Sequence, residues 1–293
     1  MNEKTFFTGV CTALVTPFIR GEVNYPMLER LLQYQMDAGI RNIVICGTTG
    51  ESPTLSDEEK LELFQRCKQY AGDACTIIAG TGSNSTKHAI ELSVSAQEAG
   101  ADGLLVVSPY YNKSTPDGLV AHFASIAQAV SIPIILYNVP SRTGQDIPVS
   151  VYKRLSGISN IAGVKEASTS IQKILQIRSE CGDNFNIWSG NDDMTVPVIS
   201  LGGKGVISVA SNLIPDTMQA IALSALDGDF DTASALQCEI FPLTNLLTCE
   251  VNPIPIKAAM RFCGFDCGNC RMPLPPLSHD NEKALKEYLN YRL

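Results

Sequence analysis

The chain predicts an α/β fold, a (β/α)8 barrel of TIM type followed by a C-terminal helical extension. Eight short apolar, β-branched runs recur along it, at residues 10–15, 43–46, 76–79, 104–107, 134–137, 161–164, 185–188 and 206–209. Each is too short for a helix and too continuously apolar for a sheet with one wet face, as expected of parallel strands buried on both sides. Helical patterns separate the runs, and successive runs are spaced by about one strand-helix unit.

The helices have recognisable starts and stops. Ser56-Asp57-Glu58-Glu59 reads as a capping box opening a helix whose Leu61, Phe64 and Cys67 share a face. Ala89, Leu92 and Ala96 repeat that spacing, as do Ile171, Ile174 and Leu175. Pro116 and Pro148 suit first helical positions, where a missing N–H costs nothing. Gly72, Gly100, Gly182 and Gly228 follow helical segments as C-terminal caps do. The eighth helix is expected at 215–226. The barrel is therefore assigned to residues 1–228 and the extension, with three further helical segments, to residues 229–293.

Composition narrows the function classes. With 293 residues, 45% of them hydrophobic, the chain can bury one large core. Its net charge of −8 and the lack of a basic run argue against nucleic acid or an anionic membrane surface as a partner. No apolar stretch approaches the ~20 residues that span a bilayer. Met1-Asn2-Glu3-Lys4 does not read as a secretory leader, so a cytoplasmic enzyme is expected. Ten cysteines are scattered along the chain. Cys263, Cys267 and Cys270 cluster, but His88, His122 and His279 offer no paired spacing to complete a zinc site, so small apolar cysteines and no metal are expected.

In barrels of this kind chemistry gathers in the loops after the strands. Strand two ends in Gly47-Thr48-Thr49-Gly50-Glu51-Ser52, strand four in Ser108-Pro109-Tyr110-Tyr111-Asn112, and strand seven in Ser189-Gly190-Asn191-Asp192. Strand five ends in Tyr137-Asn138-Val139-Pro140-Ser141-Arg142-Thr143-Gly144, and strand six in Lys165. Lys165 closes an apolar run, where a partly desolvated ammonium gives up its proton more readily and becomes a nucleophile. The same segment also fits an interior lysine paired with Glu166. Thr48 and Thr49 can hold a carboxylate or simply satisfy their own turn. Tyr137 and Tyr111 can relay protons or merely pack. Arg142 offers a fork for a second carboxylate. Asp192 and Asp193 read as helix caps rather than an acid pair. Gly202-Gly203-Lys204-Gly205 precedes a strand and so is no nucleotide loop. An amine nucleophile facing hydroxyls and an arginine points to imine chemistry on a keto acid.

Several segments then become recognisable. Gly47-Thr48-Thr49-Gly50-Glu51, Tyr137-Asn138-Val139-Pro140 and Gly163-Val164-Lys165-Glu166-Ala167 resemble the pyruvate-dependent Schiff-base aldolases. Ser141-Arg142-Thr143-Gly144, Pro109-Tyr110-Tyr111-Asn112 and Asn252-Pro253-Ile254-Pro255 resemble the dihydrodipicolinate synthase family in particular. That resemblance implies condensation of pyruvate with L-aspartate 4-semialdehyde through a covalent imine on Lys165, without a separate cofactor. It implies a proton relay of Thr49, Tyr137 and Tyr111, the last from a neighbouring subunit. Thr48 and Thr49 would hold pyruvate, Arg142 the semialdehyde carboxylate, and the Ile207 carbonyl would accept near the relay. A homotetramer built as a dimer of dimers is implied as well. Sister aldolases for N-acetylneuraminate or 2-keto-3-deoxy sugar acids are the alternative, and Arg142 discriminates against them.

Inhibited relatives bind lysine at positions matching Ser52, Asn84 and Tyr110. Here His88 stands where they carry Glu, and Asp57 and Lys60 where they carry His. Weak or absent feedback by lysine is therefore expected, with Asp57 turned toward backbone amides by its capping box.

Overall fold

The computed structural model describes residues 5–292; residues 1–4, read above for a leader, and residue 293 lie outside the described residues. Eight parallel strands close a barrel: β1 (Gly9–Ala13), β2 (Asn42–Ile45), β3 (Thr76–Gly80), β4 (Gly103–Val107), β5 (Ile134–Asn138), β6 (Ile161–Glu166), β7 (Asn186–Ser189) and β8 (Gly205–Ser208). Each strand pairs with its sequence neighbours, and β8 returns to β1 with Ile207 beside Cys11. The eight runs read from the sequence coincide with these strands to within a residue or two. A small antiparallel ribbon, Phe18–Ile19 with Glu22–Val23, follows β1.

Helices fill the intervals: α1 (Tyr25–Asp37), α2 (Asp57–Ala71), α3 (Thr86–Glu98), α4 (Pro116–Ala129), α5 (Pro140–Thr143), α6 (Val149–Leu155), α7 (Ile171–Cys181), α8 (Thr195–Ser200) and α9 (Pro215–Leu226). Three more, α10 (Phe230–Leu247), α11 (Ile254–Phe262) and α12 (His279–Arg292), form the C-terminal extension, and α10 opens on its N-cap Asp229. No described helix is long and apolar enough to cross a membrane. The capping box is formed: Ser56 Oγ accepts from the Glu59 amide and Glu59 accepts from the Ser56 amide. Pro116 is the first residue of α4, whereas Pro148 is the N-cap of α6.

One face was misread. In α7, Ile171 and Leu175 are half exposed, and Ile174 with Ile177 faces the core. The apolar spacing is genuine, but Ile171 and Leu175 sit to one side of the stripe that touches the barrel. In α2, likewise, Leu63 is fully buried while Leu61 is only partly covered.

The apolar interior has two layers. Outward-facing strand residues such as Leu136, Val164 and Ile187 pack with the helices. Inward-facing Cys11, Val44, Ile78, Leu105, Ile135, Tyr137, Trp188 and Ile207 fill the barrel with Phe7. Phe7 stacks on Trp188 at 4.6 Å and its carbonyl accepts from the Trp188 indole at 3.2 Å. Truncating such a buried aromatic costs about 3–5 kcal/mol. This plug makes the barrel a packed core, so a ligand can enter only at its mouth.

Candidate active site

Strand register places the lysine. On β6, Lys165 lies directly beside Tyr137 of β5 and Trp188 of β7, both of which point into the barrel. Lys165 therefore points inward and Glu166, one residue on, points outward. The Lys165 ammonium is 4.5 Å from the centre of the Tyr137 ring, and the side chains are 4% and 6% exposed. Glu166 accepts from Asn138 Nδ2 at 2.7 Å and Tyr152 Oη at 3.2 Å, and pairs with Lys173 at 3.7 Å. Burial and the Glu166 carboxylate together push the Tyr152 phenol well above its usual range. Pairing of Lys165 with Glu166 is thus ruled out by the alternation of the strand. Among the described residues Lys165 forms no ion pair.

A cavity of about 450 Å³ opens above Lys165. Thr48, Thr49, Tyr137, Arg142 and Lys165 all border it, so five residues singled out from sequence meet in one space. Thr48, Tyr137 and Arg142 also border a neighbouring cavity of about 640 Å³. The threonine turn is built on unusual backbone. Cys46 and Glu51, which bracket it, hold positive φ of 56° and 57°, a strain that concentrates at functional sites. Gly80 of β3 packs so tightly beneath that an added Cβ would lie 2.1 Å from the Cys46 carbonyl oxygen.

Two expected residues lie elsewhere in the chain taken alone. Tyr111 is 90% exposed, at φ 69°, and borders neither cavity. Ile207 is fully buried inside the barrel below the mouth and borders neither cavity. Arg142 donates to the Asn252 carbonyl at 3.2 Å.

Two other residues at the mouth were given no part in catalysis or substrate binding by sequence reasoning. Asn252, two residues before α11, lines the inner cavity and its Nδ2 donates to Thr49 Oγ1 at 3.0 Å. Only its place in the Asn-Pro-Ile-Pro segment marked it. Asp192 does cap, but not its own short turn: Oδ2 accepts from the amides of Ala210 at 2.9 Å and Val209 at 3.2 Å, after β8. Burial pushes its carboxyl above the usual range, against hydrogen bonds from Ser208 and those two amides. A cap across the barrel mouth cannot be read from local spacing.

The outer cavity holds Ser52 and Tyr110, two of the three positions matched to the lysine site. Asn84 is not among its lining residues, and its carbonyl accepts from Asn112 at 2.9 Å. Asp57 corrects an expectation. It does not face backbone amides, because the capping box belongs to Ser56 and Glu59. Instead Asp57 Oδ1 accepts from Lys60 at 3.1 Å and Oδ2 meets His88 Nε2 at 2.7 Å, while His88 Nδ1 meets Ser83 Oγ at 3.2 Å. Burial works to raise the Asp57 carboxyl, but the hydrogen bonds from His88 and Lys60 outweigh it and hold the pKa below the usual value.

No group of three or more His, Cys, Asp or Glu suited to a metal ion occurs among the described residues. Burial pushes the thiols of Cys267 and Cys270 up to about 12, so both stay protonated near neutral pH.

A packed barrel with an internal lysine that forms no ion pair among the described residues is the arrangement expected of a barrel enzyme with an amine nucleophile at its mouth. The comparison with known families narrows this further. The sequence matches the Dihydrodipicolinate synthetase family over residues 6–292, and the chain belongs to that family. It is 45% identical over 287 residues to the 4-hydroxy-tetrahydrodipicolinate synthase of Acetivibrio thermocellus, covering 98% of each chain. Among solved structures, dihydrodipicolinate synthase from Aquifex aeolicus superposes with a TM-score of 0.95 at 43% identity, covering 97% of this chain and 98% of that one. The enzyme from Cyanidioschyzon merolae with lysine bound gives 0.95 at 41% identity, covering 98% of both.

Proposed function

We propose that the chain condenses pyruvate with L-aspartate 4-semialdehyde to give 4-hydroxy-tetrahydrodipicolinate, the entry to lysine and diaminopimelate synthesis, through an imine on Lys165. The observation that carries this is the buried, unpaired Lys165 ammonium 4.5 Å from the Tyr137 ring and sharing a cavity with Thr48, Thr49 and Arg142. The Lys165 amine attacks the pyruvate keto carbon and water leaves, giving the imine. Loss of a methyl proton gives an enamine, whose carbon attacks the aldehyde and leaves a hydroxyl. The substrate's own amine then attacks the imine carbon and displaces Lys165, closing the ring. No cofactor beyond this covalent link is required.

Tyr137 passes protons to and from the nascent imine, a role supported by its ring lying 4.5 Å from the Lys165 ammonium. Thr49 holds the pyruvate carboxylate. Thr48 borders both cavities, which favours it over Thr49 as the hydroxyl linking Tyr137 outward to Tyr111. Arg142 receives the semialdehyde carboxylate, and the Ile207 carbonyl accepts near the relay. Arg142 also favours this reading over a sugar-acid aldolase, because its planar fork suits a carboxylate. Ser52, Asn84 and Tyr110 remain the proposed positions of a lysine site.

The assembly is a homotetramer, a dimer of dimers in the cytoplasm, with no nucleic-acid or membrane partner. An aromatic residue that is 90% exposed on strained backbone is what supports Tyr111 as the residue lent to a neighbour. Mixing Tyr111→Phe protein with Lys165→Ala protein tests function and sharing together. Each parent should be nearly inactive in the condensation assay, and hybrid dimers should regain activity. Confirmed subunit exchange without recovery would contradict the shared site.

A further inference from the structure

The Asn-Pro-Ile-Pro segment has no assigned task, yet it is where the C-terminal extension returns to the barrel mouth. Asn252 Nδ2 donates to Thr49 Oγ1 at 3.0 Å. A hydroxyl that accepts from an amide must aim its own proton elsewhere, and Thr49 lines the cavity above Lys165. Asn252 Oδ1 is buried with no hydrogen-bond partner among the described residues, so the amide is not held for its own satisfaction. The Asn252 carbonyl meanwhile accepts from Arg142 Nη2 at 3.2 Å. One residue of the extension therefore touches both substrate-binding groups.

A second connection runs beside it. Glu51 ends the threonine turn at φ 57° and is 2% exposed. Its Oε1 accepts from Lys257 of α11 at 2.8 Å, and its Oε2 from the Arg271 amide at 2.8 Å. Lys257, also 2% exposed, donates as well to the carbonyls of Thr16 at 3.0 Å and Asn269 at 3.2 Å. Every charged atom of this buried pair is engaged, as such a pair requires. It ties the loops after β1 and β2 to the extension. A turn forced through positive φ at Cys46 and Glu51 needs such an outside hold to keep its shape.

We propose that Asn252 is a positioning residue for the keto-acid subsite: it turns the Thr49 hydroxyl into a donor toward the substrate carboxylate, while the Glu51–Lys257 pair fixes the turn that carries it. The extension is then part of the pyruvate site, not only a cover for the barrel. This rests on the reading of Lys165 as the imine lysine, and the test separates the two.

Borohydride trapping is titrated with pyruvate in the full-length protein and in Asn252→Ala and Asn252→Asp. Asn252→Ala should raise the half-saturating pyruvate concentration about five- to tenfold, the effect of one lost hydrogen bond to a charged-ligand site. Asn252→Asp should raise it further, because a carboxylate only accepts and would draw the Thr49 proton away from the ligand. Maximal adduct, melting temperature and half-saturation for the aldehyde should change little in Asn252→Ala, which keeps the carbonyl facing Arg142. Glu51→Gln should shift pyruvate half-saturation in the same direction. Unchanged half-saturation in folded Asn252→Ala would overturn the proposal. So would equal shifts for pyruvate and aldehyde, or, should Asn252→Ala fail to fold, no shift in Asn252→Asp or Glu51→Gln. Absence of any adduct in the unaltered protein would instead overturn the imine reading itself.

Discussion

The cavity above Lys165 and the cavity beside Asp57 share Thr48, Tyr137, Val139 and Arg142 as a common wall, and they differ in how their polar groups are partnered. In the outer cavity Lys60, Asp57, His88 and Ser83 form a continuous chain of contacts, so charge is met by charge within the protein. In the inner one Lys165 has no ion pair, and Asn191 Nδ2 and Asn252 Oδ1 have no hydrogen-bond partner among the described residues. Unspent hydrogen-bonding capacity costs stability, of order 1–3 kcal/mol per buried group. It persists where a ligand is meant to use it. The contrast is repeated one residue apart on β6, where outward Glu166 is saturated and inward Lys165 is not.

Arg142 breaks the comparison most sharply, because it belongs to both walls. If the donors of its fork not spent on the Asn252 carbonyl serve the second substrate, Arg142→Ala should reduce kcat/KM for the semialdehyde about ten- to a hundredfold. Pyruvate trapping should be nearly unaffected. Steady-state kinetics alongside trapping check this, and a parallel fall in both would make Arg142 structural.

His122 offers a control, a buried group with an unpartnered Nε2 that borders neither cavity. Its Nδ1 meets Thr86 Oγ1 at 2.9 Å, and burial lowers its pKa to about 4. The unfolded chain therefore takes up a proton first as pH falls below about 6.5. The stability tied to neutral His122 is intact above that pH and is lost as pH falls toward 4, by about 3 kcal/mol at most. His122→Gln should flatten denaturant-measured stability between those limits while leaving kcat near normal. That outcome would separate an unpartnered group that only costs stability at low pH from one kept for chemistry.

The smallest expected effect is that of lysine. The Asp57 carboxylate faces the outer cavity but is already taken by Lys60 and His88, and Lys60 places like charge beside any lysine ammonium. Titrating lysine to millimolar concentration should inhibit the condensation weakly or not at all. Strong, saturable inhibition would show that this chain of contacts opens for the ligand.

Much of this was legible in the sequence because it depends on local order. The eight strands follow from apolar runs, and the inward aim of Lys165 follows from strand alternation once its register beside Tyr137 is known. The faces of α7 were less legible, since Ile171 and Leu175 keep helical spacing yet miss the barrel. Contacts across long chain separations were not legible at all. Asn252 on Thr49, Lys257 on Glu51 and Asp192 on the Ala210 amide each join segments that only the closed barrel brings together. Asp57 was misjudged because a capping box fixes Ser56 and Glu59 and leaves the two residues between them free, so Asp57 turns to Lys60 and His88.

The most direct measurement of the difference between the cavities is the chemistry of the unpaired amine. Protein incubated with pyruvate and reduced with borohydride should gain one adduct per chain by mass spectrometry, mapped to the peptide carrying Lys165. Lys165→Ala protein should gain none. An adduct on Lys60 or another lysine, or no adduct at all, would contradict imine formation at Lys165.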